Sequence, residues 1–397
     1  MQTATAIYGV SLAQSPEYVQ CLRGLVHSPE TLKQKGFIID QLSASELERR
    51  KRCQRCCRAL ITAKSKRIVN QRRSSASPSR SGPAATPGYR DRTSTAKPFS
   101  SSAATASHQA QESWGPPPRV NWKSNSKGDL QCKYHPGKMD RKTGKWTCCN
   151  MSIFTKPCQA TENHDPRQYR PNELEENWHF HHTPLATSQT PARVAVVFDC
   201  EMGVSEEGES ELIRVSIVDY FSSDVLLDSL VWPDAKMKDL STAFSGVSWK
   251  ALNEAHRNKT CLLGREQARK AVWSLLSPET VVIGHGAKND LDILRWIHPN
   301  IVDTQLVEQS FIVKEKASGE QEAKENQKAK KPDQQNAETK SARGGGGGRG
   351  MSLKKLARER LDRAIQTKGK GHDSIEDSIA TRDLLHWHVS RILQPEP

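Results

Sequence analysis

Long apolar runs are missing from this chain, and so is any surplus of acidic charge. No stretch approaches the roughly 18 consecutive apolar residues of a membrane-spanning helix, and the N-terminus lacks the charged start and extended apolar run of a secretory signal. The sequence therefore reads as soluble and intracellular, with no membrane partner. Hydrophobic residues are only 35% of the 397, and the mean hydropathy is −0.71, too little for a packed core throughout. The 59 Lys and Arg against 45 Asp and Glu leave a net charge of +14, which suits a polyanionic partner or keeps unfolded tails solvated.

What is present is concentrated in a few places. Val194-Ala195-Val196-Val197-Phe198 reads as a strand buried on both faces, and it delivers Asp199 and Glu201 at its end. Residues two apart on a strand share a face, so these carboxylates stand side by side. They repel, and a divalent cation between them is the ordinary way to keep both ionised. Val281-Val282-Ile283 is a second apolar run that opens through Gly284-His285-Gly286 into a helix start carrying Asp290. Near the C-terminus, His372 stands about one turn before Asp377, ahead of a helical pattern of Ile379, Leu384, Leu385 and Val389.

Composition divides the rest. Residues 1–48 form a short helical segment, with Ser15-Pro16-Glu17 and Ser28-Pro29-Glu30 each pairing a cap with a proline suited to the first helical position, and Ser43 and Glu46 at capping-box spacing. Leu22, Leu32, Phe37 and their few apolar neighbours cannot make a core alone and are expected to pack on something else. Residues 49–73 are a basic segment suited to nuclear localisation or RNA contact. The Ser-, Ala-, Thr- and Pro-rich stretch 74–118 reads as a disordered linker, and 119–175 as a cysteine-containing module. The domain 191–397 begins with strands and continues with alternating strand and helix, an α/β pattern that implies a mixed sheet flanked by helices. Its expected elements include strands at Leu212–Asp219 and Val225–Val231, a helix at Glu266–Leu276 stopped by Ser277-Pro278, and a disordered insertion at 312–350 ending in glycines.

Cysteines in a basic intracellular protein point to metal rather than disulfides. Cys132, His135, Cys148, Cys149, Cys158 and His164 are too many ligands for one tetrahedral zinc and too few for two, and Cys53 with Cys56 completes eight. One or two structural Zn2+ are expected, with Cys57 able to replace either neighbour; Cys21, Cys200 and Cys261 read as small core residues.

Four carboxylates and one histidine in this order resemble the DEDDh branch of the 3′-to-5′ exonucleases: Asp199 and Glu201 match its first motif, Asp290 its second, His372 and Asp377 its third. Asp-Cys-Glu-Met after the strand, Gly-His before Asn-Asp-Leu, Asp303-Thr304, Ser352 to Ala357, Ile365-Gln366 and His372-Asp373-Ser374 resemble the Rex-type eukaryotic RNA exonucleases, over roughly residues 194–307 and 351–390. The resemblance implies a ribonuclease H-like fold, release of nucleoside 5′-monophosphates from RNA with a free 3′-OH, and Met202 and Gly203 beside the terminal sugar. His135-Pro136-Gly137 and Trp146-Thr147-Cys148-Cys149 resemble CHORD-type zinc modules, which implies one zinc on His135, Cys148, Cys149 and Cys158 and another on Cys53, Cys56, Cys132 and His164. Such a module also offers a route to protein partners.

The residue types suggest the chemistry. Asp199, Glu201, Asp290 and Asp377 would hold two Mg2+ or Mn2+ about 4 Å apart, and His372, with an ordinary pKa near 6.5, would take the proton of the attacking water. His285 reads as structural, and Asp292 and Asp373 are turned away from the acidic face. Two other classes stay open: a non-enzymatic RNA- or protein-binding adaptor, and a DNA exonuclease, since no motif reads a 2′-hydroxyl. The order of N-terminal helices, zinc ligands and exonuclease domain looks most like fungal Rex-type enzymes that mature the 3′ ends of small structured RNAs such as MRP RNA and snRNA, in the nucleus and also the cytoplasm. A trimmer of 5S or transfer RNA is the nearest alternative.

Overall fold

A computed structural model describes residues 11–60, 132–140, 143–153, 155–313, 351–367 and 371–394. The expected linker at 74–118, the basic residues beyond 60 and the insertion from 314 to 350 lie outside the described residues. Two compact units form: one is Arg49–Gln168, and the other combines Met1–Glu48 with Tyr169–Pro397. The sequence-based division set 1–48 apart from the exonuclease domain and ran the cysteine module on to 175; in the structure those helices and the residues from Tyr169 onward join the larger unit.

The N-terminal segment is α1 (Pro16–Gly24), α2 (Pro29–Gln34) and α3 (Ala44–Glu48). Ser15 and Ser28 accept the N–H of Tyr18 and Thr31, each at 3.2 Å, and Glu46 reaches back to the Ser43 N–H at 2.9 Å. Tyr18 and Leu22 sink among Val218, Tyr220, Leu385 and Val389, whereas Leu32 and Phe37 join the core on the opposite face of the sheet. The larger unit's two cores thus absorb the apolar residues that this segment cannot bury alone.

In the smaller unit, β1 (Cys132–Tyr134) pairs antiparallel with β4 (Gln159–Thr161), and β2 (Met139–Asp140) with β3 (Lys145–Trp146). Its buried hydrophobic residues are Cys53 and Cys132, so among the described residues it has no aliphatic core.

The larger unit continues with α4 (Glu173–Asn177), β5 (His181–His182), β6 (Ala195–Ser205), β7 (Ser210–Asp219), β8 (Val225–Trp232), β9 (Met237–Asp239), α5 (Thr242–Ser245), α6 (Trp249–Arg257) and β10 (Leu262–Leu263). After these come α7 (Gly264–Trp273), β11 (Val281–Gly284), α8 (Lys288–Leu294), β12 (Trp296–Ile297), β13 (Ile301–Asp303), α9 (304–313), α10 (Leu353–Leu361) and α11 (Ser374–Leu393). The central sheet runs β10-β8-β7-β6-β11-β13, with β9 alongside the end of β6. β6, β7 and β8 are antiparallel neighbours, and β11 lies parallel to β6 and β13 to β11. This is a mixed sheet with helices packed on both faces, the α/β architecture that the sequence pattern implied.

Strand β6 explains why both faces must be apolar. Val196, Phe198 and Cys200 face a core with Ala268, Val272, Leu291 and Leu294 from α7 and α8, while Ala195 and Val197 face Leu385 and Val389 of α11. Of the three cysteines expected in the core only Cys200 is buried; Cys21 and Cys261 are partly exposed. Helix α7 ends at Trp273 rather than Leu276, because the chain turns before Pro278 and the Ser277 N–H donates to Thr280 Oγ1 at 3.1 Å. No helix among the described residues is long and apolar enough to cross a membrane.

Leu22, at 0% exposure, tests how far the N-terminal helices belong to the unit. Leu22→Ala is expected to lower its unfolding free energy by about 2–5 kcal/mol in urea titration; a loss below about 0.5 kcal/mol would mean that α1 is only loosely applied.

Candidate active site

Asp199 and Glu201 continue the β6 parity of Ala195 and Val197, so both project on the face covered by α11. Helix α8 starts just past the end of β11 and brings Asp290, 6% exposed, to the same end of the sheet. Asp377 lies in the first turn of α11, 4% exposed, and His372 stands immediately before that helix's N-cap, Asp373. The His372 N–H donates to the Phe244 carbonyl at 2.5 Å. Gly371 makes that approach possible: its φ is +75°, and a Cβ there would lie 2.6 Å from the Gly246 backbone nitrogen.

Ligand atoms of Glu201, His372 and Asp377 all lie within 4.8 Å of one another. His372 Nδ1 is 3.5 Å from Asp377 Oδ2. Asp199 and Asp290 are not in that tight group but belong to the same acidic cluster. Burial and then the charges of Asp290, Asp377 and Glu201 push the Asp199 carboxyl well above its ordinary range, and burial with Asp303 and Glu201 does the same to Asp290. Glu201 is pushed up to about 8 by burial and Asp377, and Asp377 to about 6, mainly by burial. His372 moves the other way, lowered by burial and by Lys354, so it is neutral at neutral pH and able to accept a proton.

Two oxygens show what such a site lacks. Glu201 Oε1 and Asp377 Oδ1 are buried with no hydrogen-bond partner among the described residues. Unsatisfied buried carboxylate oxygens are costly, and divalent cations that prefer oxygen ligands, Mg2+ or Mn2+, would both satisfy them and offset the repulsion. The residues present therefore fit such ions. Gly203 has a packing reason of its own: a Cβ there would meet Met237 Cε at 2.5 Å and the Asp239 carbonyl oxygen at 2.9 Å, so its bareness lets β9 lie against β6. Met202 is half-buried against the core that contains Phe198.

The smaller unit holds two ligand groups, Cys53, Cys56, Cys132 and His164, and His135, Cys148, Cys149 and Cys158. Cys53 and Cys132 sulfurs are 3.6 Å apart, as are Cys148 and Cys158, and His135 Nδ1 is 3.6 Å from Cys149 Sγ. Sulfurs around a tetrahedral zinc with 2.3 Å bonds stand about 3.8 Å apart, whereas a disulfide would need about 2 Å. Cys56 rather than Cys57 joins the first group. Burial raises the Cys53 thiol, but backbone N–H groups of Cys56, Asp165 and Arg55 outweigh it and bring it to about 6; burial and neighbouring thiols push Cys132 and Cys158 to about 12. Thiols that cannot all ionise beside one another suit a cation, and His135 is further set by stacking on Trp146, rings 4.4 Å apart.

No protein-family model matches the chain. RNA exonuclease 3 of Candida albicans is 33% identical over 268 residues, covering 67% of this chain and 55% of that protein, and RNA exonuclease 3 of Emericella nidulans is 30% identical over 292 residues, covering 64% and 40%. The chain is a relative of the RNA exonuclease 3 proteins. A human protein named putative exonuclease GOR is also similar, 28% identical over 275 residues, covering 68% of this chain and 34% of that protein. The chain spans about half the length of the RNA exonuclease 3 proteins it matches. Solved structures that align with it include the Neurospora crassa Pan2 catalytic unit of protease and nuclease domains, at 18% identity over 55% of this chain and 32% of that one with a TM-score of 0.37, and the Saccharomyces cerevisiae Pan2 pseudoubiquitin hydrolase-RNA exonuclease module with AAGGA RNA, at 19%, 55%, 34% and 0.38.

Other residues of this RNA exonuclease 3 relative shape the site without a local sequence signal. Helix α8 has no side-chain cap of its own; Asp303, sixteen residues beyond Ala287, accepts the N–H groups of Gly286 and Ala287, each at 3.0 Å. Thr304 Oγ1 meets His285 Nδ1 at 2.9 Å, and His285 Nε2 meets the Met351 carbonyl at 3.0 Å, which gives His285 the structural place expected of it. Gln366 donates to Asp377 Oδ2 at 2.9 Å. Asp303, Thr304 and Gln366 stood in the sequence only as letters of the family pattern.

Two outcomes follow from these electrostatics. Glu201 titrates at about 8 in the fold against an ordinary 4.5, so folding favours its protonated form: that contribution is full below about 4.5 and disappears as pH rises through about 8. With Mg2+ and Mn2+ omitted, the melting temperature of the larger unit should fall as pH is raised across this window, and added Mg2+ should restore most at the upper end; a pH-independent Mg2+ effect would contradict the assigned origin. In the smaller unit, His135→Ala or Cys149→Ala should release zinc and open residues 49–60 and 143–153 to limited proteolysis, since among the described residues no aliphatic core replaces the metal.

Proposed function

We propose that the chain is a 3′-to-5′ exoribonuclease that removes nucleoside 5′-monophosphates from RNA ends. The observation that carries the reading is the pair of buried carboxylate oxygens without partners on Glu201 and Asp377, beside a neutral, 41%-exposed imidazole. Asp199, Glu201, Asp290 and Asp377 are the residues that would hold two divalent cations, which when bound lower the pKa of water and stabilise charge on the leaving 3′ oxygen. His372 accepts the water's proton at Nε2, since its Nδ1 is turned toward Asp377.

The surroundings favour a nucleic-acid end. In front of the acidic group lies a cleft of about 610 Å³ bordered by Arg214, Thr367, His372 and Glu376. Phe244, whose carbonyl anchors His372, is 70% exposed, and no Tyr, Trp or other Phe among the described residues is as open; an aromatic face at such a place can stack on an unpaired base. Lys354, close enough to lower the His372 pKa, adds a cation that can meet phosphate. The names of the relatives, RNA exonuclease 3, favour RNA over DNA as substrate.

The substrate class in this reading is the 3′ end of small structured non-coding RNAs such as MRP RNA and snRNA, processed in the nucleus and also the cytoplasm. The zinc-bearing unit, with Arg55 and Arg58 exposed and Lys133 beside them in composition, would contact RNA backbone or a protein partner. Comparing RNA 3′ ends between cells with and without the gene checks the substrate class.

Asp199→Ala or Asp290→Ala should lower mononucleotide release by roughly 10³-fold or more while RNA binding stays near wild type, because the loss falls on transition-state charge. Near-wild-type turnover in either variant would sink the site assignment. A 3′-phosphate should block the reaction and a 5′ block should not; cuts inside a circular RNA would instead make the protein an endonuclease.

A further inference from the structure

The acidic face of the sheet carries a second row of polar residues that neither the metals nor the proton transfer uses. Asp199 pairs in register with Ser216, and Ser216 with Asp228, so the three lie side by side on the face that α11 covers. Ser216 and Ser374 are both fully buried, and their hydroxyls are 2.6 Å apart. Since Ser216 Oγ donates to Asp228 Oδ1 at 2.8 Å, the proton of the shared bond comes from Ser374. Asp228 also accepts from Arg214 Nε at 2.8 Å and Nη2 at 3.0 Å, and Arg214 Nη1 reaches Asp373 Oδ1 at 3.1 Å. That same Asp373 oxygen caps α11 through the Ile375 N–H at 3.1 Å.

We propose that Asp228, Ser216, Arg214 and Ser374 are positioning residues: together they form a bracket that fixes the first turn of α11 on the sheet. Apolar packing alone tolerates small rotations and slides of a helix, whereas directional bonds to two consecutive residues, Asp373 and Ser374, set both its rotation and its height. His372 immediately precedes these residues and Asp377 follows in the same turn, so the bracket decides whether both face Glu201. The role rests on the exonuclease reading for its effect on turnover, but its effect on cation binding does not.

The test uses the full chain with Asp228→Asn and Ser374→Ala, and Asp224→Asn as control, since Asp224 sits in the exposed β7–β8 turn with Ser222. Mn2+ affinity by electron paramagnetic resonance, kcat and KM on an oligoribonucleotide, and thermal unfolding are measured for each. Both bracket variants are expected to weaken Mn2+ binding and lower kcat by roughly tenfold, with KM and unfolding temperature near wild type and the control unaffected. Unchanged Mn2+ affinity in both, or losses that merely follow a lowered unfolding temperature, would overturn the proposal. Weakened Mn2+ binding in a protein whose wild type degrades no RNA would uphold the bracket and refute the exonuclease instead.

Discussion

Repulsion among carboxylates that the fold forces underground is the interaction on which the larger unit depends. Asp199, Glu201, Asp290 and Asp377 arrive from one strand and two helices at a single end of the sheet, and each is held above its ordinary titration range first by burial and then by neighbouring carboxylates, which for Asp377 are Glu376 and Asp373. Without counter-charge the cluster works against folding. Arg214 is the counter-charge that the chain itself supplies beside Glu201, and it is already committed to Asp228 and Asp373. The site is thus built with a deficit of positive charge, and buried strain of this kind persists where it serves function.

The smaller unit meets a similar constraint with different atoms. Its thiols cluster in two groups that resist joint ionisation, and its described residues bury almost nothing aliphatic. Soft sulfur and imidazole favour zinc, while oxygen-only sets favour Mg2+ or Mn2+, so ligand chemistry by itself assigns different metals to the two units. In one unit the cation would complete a reactive site; in the other it would stand in for a core.

The N-terminal helices show how a segment too small to fold alone becomes part of a larger unit. Leu22 and Leu32 enter opposite cores of the same sheet, and Tyr18 Oη meets Tyr220 Oη at 2.7 Å and His386 Nδ1 at 2.9 Å. The segment therefore clasps both faces, and the hydrogen bonds to distant Tyr220 and His386 fix where it does so.

How far the sequence reached depended on the range of each interaction. Strand β6, the alternation that puts Asp199 and Glu201 on one face, the caps of α1 and α2, and the placement of Asp290 and Asp377 in first turns all follow from period and local chemistry within a few residues. The eight Cys and His residues of the two ligand groups were legible because thiols and imidazoles at such density have few other uses in a basic protein. Tertiary structure alone decided that 1–48 belongs with the larger unit, that Asp303 caps α8 across sixteen residues, that Gly203 makes room for β9, and that Ser216 meets Ser374 across 158 positions of chain. These are contacts between residues far apart in sequence, and no periodicity records which distant backbone amide, methyl group or hydroxyl a side chain will meet once strands pair and helices dock.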